Sequence, residues 1–385
     1  MPHTSPRSPA VSVPQSPRPV AGDGRDAAVP AHYGDPFGEQ RWLIERAGIV
    51  DRGHRDVVTV TGPDRLSWLH TLTTQQVDPI QPGTSNEALI LTPQGRVAHH
   101  MVFADDGETV WLDTEPEAGG PLLTFLNSMR FMLRVELTDI SARWGVLSVM
   151  GVDAPRLLID AKIVDTVPGP VTAPGEAWPT VPLSDGVGWL RRTPWPTDDS
   201  FDVLAPLDSL GFVREVLLDA GARSCGLQAY EALRVADRRP RLGSDTDDRS
   251  LPHELGWVPS AVRLDKGCYP GQETVAKLHN MGQAPRRIVL LHLDGSHTDL
   301  PAPGEPVTDG DRVIGHIGTA VRHYELGDIA LALVKRGTSD DASLSVAGGR
   351  ASIDPEAAQL SQPDAGAGRR RVNEFNARRR ELGTG

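Results

Sequence analysis

Lys266-Gly267-Cys268-Tyr269-Pro270-Gly271-Gln272-Glu273 is the stretch on which the reading of this chain turns. Pro270-Gly271 suits the centre of a type II turn, proline fixing φ and glycine accepting φ > 0, while Gly267 frees the backbone on the other side of the thiol. Thr274 to Met281 follows with helical periodicity and stops at Gly282. Cys268 therefore sits on a tight turn just ahead of a helix N-terminus, two positions after Lys266, and both neighbours favour thiolate over thiol. Read from the residues alone, a reactive cysteine and an inert, buried one stand level, because free cysteine also packs as a small hydrophobe.

Outward from this octapeptide, the preceding region mixes strand and helix patterns. Val57 to Thr61 alternates, and Gly62-Pro63-Asp64 opens a helix with Leu66, Leu69 and Leu72 on its apolar face. Ala88 to Leu91, Val97 to Phe103 and Thr109 to Leu112 read as hairpin strands, separated by Pro93-Gln94-Gly95 and Asp105-Asp106-Gly107. Leu122, Leu126, Met129 and Leu133 repeat at helical spacing, as do Phe212, Val213, Val216 and Leu217. Antiparallel hairpins mixed with helices define an α+β body over 36–285. From Arg287 short strands with dense glycine, including Ile288 to Leu293, Val313 to Ile317, Thr319 to Val321 and Ile329 to Val334, predict a small closed barrel over 286–347. Residues 1–35 and 348–385 read as disordered tails, the second carrying the triplets Arg369 to Arg371 and Arg378 to Arg380.

Composition excludes several functions. The 385 residues hold 39% apolar side chains but no run of the roughly 18 to 20 that a membrane span needs. A formal net charge of −12 argues against direct nucleic-acid binding, which needs a basic face. Two cysteines, Cys225 and Cys268, are too few for a disulfide scaffold or a self-contained cluster site, and the N-terminus has no apolar signal core, so a reducing, cytoplasmic location is expected.

The octapeptide resembles the Lys-Gly-Cys-Tyr-x-Gly-Gln-Glu signature of the YgfZ-type folate-binding proteins, relatives of the aminomethyltransferase (T-protein) of the glycine cleavage system. The likeness extends through Gly62-Pro63-Asp64-Arg65-Leu66, Leu233-Arg234-Val235, Asn280-Met281-Gly282 and Ile329-Ala330-Leu331-Ala332, covering about Asp56 to Lys335. It implies a three-part T-protein-like body with a central folate cavity, tetrahydrofolate or a derivative as ligand, and iron–sulfur proteins, including tRNA-modifying ones, as clients. One cysteine cannot hold a cluster that usually wants four thiolates, so contact with a cluster would be transient.

A pterin presents an amide edge that calls for a carboxylate, flat walls and, for its glutamyl tail, cations. Arg192, Trp195 and Asp199 fall where the T-protein pattern has an arginine, an aromatic and a pterin-binding glutamate. Glu231 and Arg234, spaced i and i+3, fit either a folate contact or a surface pair. Arg238 to Arg241 face either the glutamyl tail or solvent. At Gly95-Arg96-Val97-Ala98-His99-His100 the T-protein's acidic pair is replaced by two histidines, of which strand alternation lets one face the cavity. With no third ligand near, no metal site is expected. Cys225 reads as a packing residue. The leading expectation is a folate-binding accessory factor acting through Cys268 with Lys266 as its charge partner. The alternatives are a tetrahydrofolate-dependent aminomethyltransferase or demethylase, and a pure interaction module.

Overall fold

A computed structural model describes residues 19–296 and 298–355. Along the chain run β1 (Val20–Ala21), β2 (Pro30–His32), α1 (Pro36–Glu45), β3 (Gly48–Arg52), β4 (Asp56–Thr61), α2 (Arg65–Leu72), β5 (Thr84–Leu91), β6 (Val97–Asp105) and β7 (Thr109–Thr114). There follow α3 (Gly119–Ser128), β8 (Glu136–Asp139), β9 (Trp144–Met150), α4 (Ala154–Asp160), β10 (Trp178–Pro182), β11 (Trp189–Thr193), β12 (Ser200–Pro206), α5 (Leu207–Asp219) and β13 (Arg223–Cys225). The helices α6 (Leu227–Ala236), α7 (Val258–Ala261) and α8 (Gln272–Met281) lead into β14 (Arg286–Leu293), β15 (Pro306–Asp309), β16 (Arg312–His323), β17 (Gly327–Lys335), β18 (Leu344–Val346) and β19 (Gly349–Ile353).

One eleven-stranded sheet, in the order β13-β3-β9-β12-β11-β10-β5-β6-β7-β4-β8, carries two lobes. Strand alternation gives it two unlike faces. On the apolar face, Phe201, Val203 and Leu190 pack under α4 and α5 in one lobe, and Val58, Ile90, Met101 and Phe103 pack under α2 and α3 in the other. The opposite face is charged, and the two lobes turn it inward. Strands β14 to β19 close a six-stranded barrel, filled by Leu291, Ile317, Ala332 and Val346, so none of its edges is left unpaired. Helix α6 lies between sheet and barrel, with Val235 in a core shared with Leu331 of β17.

The fold class read from the sequence holds: mixed α and β elements followed by a closed barrel. Several boundaries differ. Residues from 19 onward are ordered into β1 and β2, with Val29, Ala31 and Tyr33 buried, where a tail to residue 35 was expected. The barrel runs to Ile353 rather than 347, because β19 closes it against β14. The two strands expected at 313–317 and 319–321 are one strand, β16, whose register shifts between Ile317 and Ala320. Helix α3 stops at Ser128, since Phe131 adopts φ +47 and leaves Leu133 outside it. Both arginine triplets lie outside the described residues.

Candidate functional site

Two turns that need glycine build the ground under Cys268. Gly271 has φ +79 and ψ 0, and the Gln272 amide donates to the Tyr269 carbonyl at 3.2 Å, which is the type II turn that Pro270-Gly271 predicts. Gly95, in the β5–β6 turn, has the same φ. The two turns mesh so closely that a Cβ on Gly271 would lie 2.6 Å from the Thr92 carbonyl, and one on Gly95 2.7 Å from Thr274 Cβ. Several residues around the thiol are held in place. Tyr269 is buried in the core under the barrel, Gln272 Nε2 donates to the Lys266 carbonyl at 3.2 Å, and Glu273 sits in the first turn of α8. Cys268 itself is exposed.

Lys266 does not serve the thiol. Its ammonium donates to the carbonyls of His70, Thr73 and Gln75 at 2.5, 2.6 and 2.9 Å, so it closes the C-terminus of α2, where carbonyls lack intrahelical partners. The charge-partner role expected for it is corrected on this geometry. Burial pushes its pKa down to about 8. Cys225 is buried between α1 and α6, and burial pushes its thiol well above the ordinary range.

The inward face of the sheet forms a central cavity lined by Trp178, Trp195, Tyr230, Trp257 and a mesh of ion pairs. Arg191, fully buried, bonds Asp113 and reaches Asp202 at 2.9 Å. Arg55 bridges Asp113 and Glu115 at 3.0 and 2.7 Å. Arg241 spans Glu115 at 2.6 Å and both oxygens of Asp26 at 2.8 and 2.9 Å. Burial alone would raise the Asp202 carboxyl, but Arg52 and Arg191 hold it at about 2. Asp113, Glu115 and Glu231 are likewise lowered against burial by their arginines.

Of the residues singled out in the sequence, His100, Trp195, Glu231, Arg234, Arg239 and Arg241 line this cavity. Trp195 forms a wall, its ring 5.0 Å under the Arg239 guanidinium. Glu231 and Arg234 are no surface pair: the fork closes at 3.0 and 2.8 Å, and Arg234 also bonds Asp245 and Thr319 of β16, which ties α6 to the barrel. Arg192 and Asp199 are not in the cavity. Alternation along β11 turns Arg192 to the opposite face, where it bonds Asp199 at 2.6 Å and the carbonyls of Asp198 and Pro168. The cavity arginine is its neighbour Arg191. Arg239 and Arg241 face inward and are fully paired, Arg239 to both oxygens of Glu87 at 2.9 and 3.0 Å.

The two histidines divide as alternation requires. His100 stacks on Trp257, with centroids 4.8 Å apart, and its Nε2 lies 3.1 Å from Glu87 Oε2. His99 faces the α3 side beside Phe125, and burial pushes its pKa down to about 4. Sequence reading missed Arg52, Arg55, Glu87, Asp113, Glu115, Arg191 and Asp202. The available signal was a lone charged residue within an otherwise largely apolar strand, as with Asp113 in Thr-Val-Trp-Leu-Asp-Thr of β7.

Two buried donors or acceptors in the cavity wall, Trp195 Nε1 and His54 Nδ1, have no hydrogen-bond partner among the described residues. The clear volume is about 30 Å³, room for roughly one water. The wall chemistry therefore suits a polar heterocycle, whereas the clear volume is smaller than one.

A mixed sheet with an inward charged face, joined to a closed barrel, defines the aminomethyltransferase-like class of α+β proteins. Residues 29–266 match the GCVT N-terminal domain and residues 286–364 the CAF17 C-terminal β-barrel domain. The chain belongs to the GCVT family. It is 27% identical over 320 residues to an aminomethyltransferase of Herpetosiphon aurantiacus, covering 80% of this chain and 84% of that one. A chloroplastic candidate transferase of Arabidopsis thaliana is 26% identical over 275 residues, 69% of this chain, which spans 60% of that protein's length. The crystal structure of the glycine cleavage system aminomethyltransferase T from Bartonella henselae superposes with a TM-score of 0.74 at 16% identity, over 87% of this chain and 92% of that one. No described helix is long and apolar enough to cross a membrane.

Proposed function

We propose that this chain is a folate-binding accessory factor of iron–sulfur enzymes, including those that modify tRNA, and not a working aminomethyltransferase. The observation that carries the reading is the contrast within the signature: Lys266, Tyr269, Gly271 and Gln272 fix the backbone on either side through buried or hydrogen-bonded contacts, and the Cys268 thiol stands exposed between them. A fixed, accessible thiol can ligate iron or exchange with a persulfide, and soft ligands suit cluster iron. The match to the CAF17-type barrel supports the same assignment.

Trp195, Tyr230 and Glu231 would hold the pterin end of a folate, with the unpaired Trp195 Nε1 as a further contact. Every arginine lining the cavity already meets a carboxylate, so a glutamyl tail gains a cation only by displacing one. At the place of the T-protein acidic pair stand His99, turned away, and His100, held by Glu87.

A deletion strain assayed for aconitase-type and radical-SAM enzyme activities tests the thiol, with wild type restoring activity and Cys268→Ser failing to. Equal complementation by Cys268→Ser overturns that role. Titration with tetrahydrofolate tests the ligand: tryptophan fluorescence should respond in wild type and more weakly in Trp195→Phe. No heat and no fluorescence change up to millimolar folate removes the folate half of the proposal.

A further inference from the structure

The strands that line the central cavity continue past it. On β6, His100 and Val102 face the cavity, while Ala104, Asp105 and then Asp106 line a separate cleft. On β10, Trp178 belongs to the cavity and Thr180 and Pro182 to the cleft; on β11, Arg191 and Thr193 belong to the cavity and Trp189 to the cleft. The buried Arg191 ion pairs with Asp113 and Asp202 stand between the two. This second cleft has a volume of about 410 Å³.

Three indoles form its floor, Trp111 of β7, Trp144 of β9 and Trp189 of β11, with centroids 4.4, 5.0 and 6.2 Å apart and planes inclined to one another. All three are only partly buried, which is costly for so much aromatic surface unless something covers it. The charged residues of the lining are Asp105 and Asp106. Asp105 is neutralised by Arg65 at 2.9 Å. Asp106 is not: the described partners of its carboxylate are neutral N–H donors, Trp111 Nε1 at 2.8 Å and the amides of Glu108 and Thr109 at 2.9 and 2.7 Å. Negative indole faces beside a carboxylate without a cation favour a positive guest and disfavour phosphates and carboxylates.

We propose that this cleft binds a small organic cation of the alkylammonium type. Alkyl groups on nitrogen fit the apolar floor, and their weak hydration lets the charge approach the rings at little desolvation cost. The site is independent of the central cavity and of Cys268.

Choline and its neutral isostere, in which carbon replaces the nitrogen, separate charge recognition from simple apolar burial. At fixed ionic strength, full-length protein should bind choline saturably in the millimolar range, at least about tenfold more tightly than the isostere. Indole N–H resonances of Trp111 and Trp189 should shift while those of Trp178, Trp195 and Trp257 stay. Val187, 45% exposed at the rim, takes the variant that keeps the fold: Val187→Lys places a competing ammonium in the cleft and should weaken choline at least tenfold. Equal binding of the isostere, shifts confined to the central-cavity indoles, or no saturable shift each overturn the proposal.

Discussion

Arg191 and Arg192 are adjacent on β11 and serve opposite faces of one sheet: the first is clasped by Asp113 and Asp202 in the interior, the second reaches Asp199 and two loop carbonyls on the other side. Removing one partner of a buried pair strands the remaining charges. Arg191→Met should therefore cost about 3–5 kcal/mol in denaturant unfolding. Arg192→Ala removes a more exposed cluster and should cost about 1 kcal/mol. Comparable losses for the two would contradict the assigned faces.

Lys266 is a fixture of α2 rather than of the thiol. Lys266→Met leaves the carbonyls of His70, Thr73 and Gln75 without their donor and should destabilise the protein by about 2–4 kcal/mol. Iodoacetamide labelling of Cys268 in the folded variant should proceed at close to the wild-type rate. A large drop in that rate would reinstate Lys266 as the thiol's charge partner.

Cysteine labelling also separates the two thiols. Under native conditions peptide mapping should find Cys268 alkylated and Cys225 untouched, because Cys225 is 1% exposed and burial keeps it a neutral thiol. Faster reaction at Cys225 would contradict this ordering.

His100 cannot simply be turned back into an acid. Its ring donates toward Glu87, a fully buried carboxylate that burial would raise but that Arg239 and His100 hold far below its usual range. His100→Asp sets a like charge against Glu87 and should destabilise the protein by about 2–4 kcal/mol, without producing methylene transfer comparable to a T-protein's. His100→Gln, which keeps a donor, should cost about 1 kcal/mol. Thermal unfolding and a glycine cleavage assay measure both.

Acid should erode stability over two pH ranges. Burial lowers His99 to about 4, and burial with His279 and Arg336 lowers His253 to about 4, against about 6.5 unfolded. The unfolded state then binds more protons between these values, so stability falls as pH drops from about 6.5 to 4. Asp202, at about 2, and the other lowered carboxylates give the same sign at lower pH: their stabilisation is full above about 4 and is lost as pH falls toward 2. Stability measured against pH should show both slopes, and His99→Gln should flatten the upper one.

The sequence by itself determined what is local. Pro270-Gly271 dictates its turn through φ alone, the leucines of α2 dictate their buried stripe, and the glycine-spaced strands after Arg287 dictate a barrel. It also divided His99 from His100, because successive strand residues must part company. Which of Arg191 and Arg192 faced inward was not legible, since alternation gives the parity of a strand but not its sign. That sign, the commitment of Lys266 to carbonyls nearly two hundred residues away, and the partnership of Asp26 with Arg241 rest on long-range pairing. Arg241 is fixed by the Asp26 and Glu115 carboxylates that the fold brings within 3 Å of it, and only the tertiary structure decides that meeting.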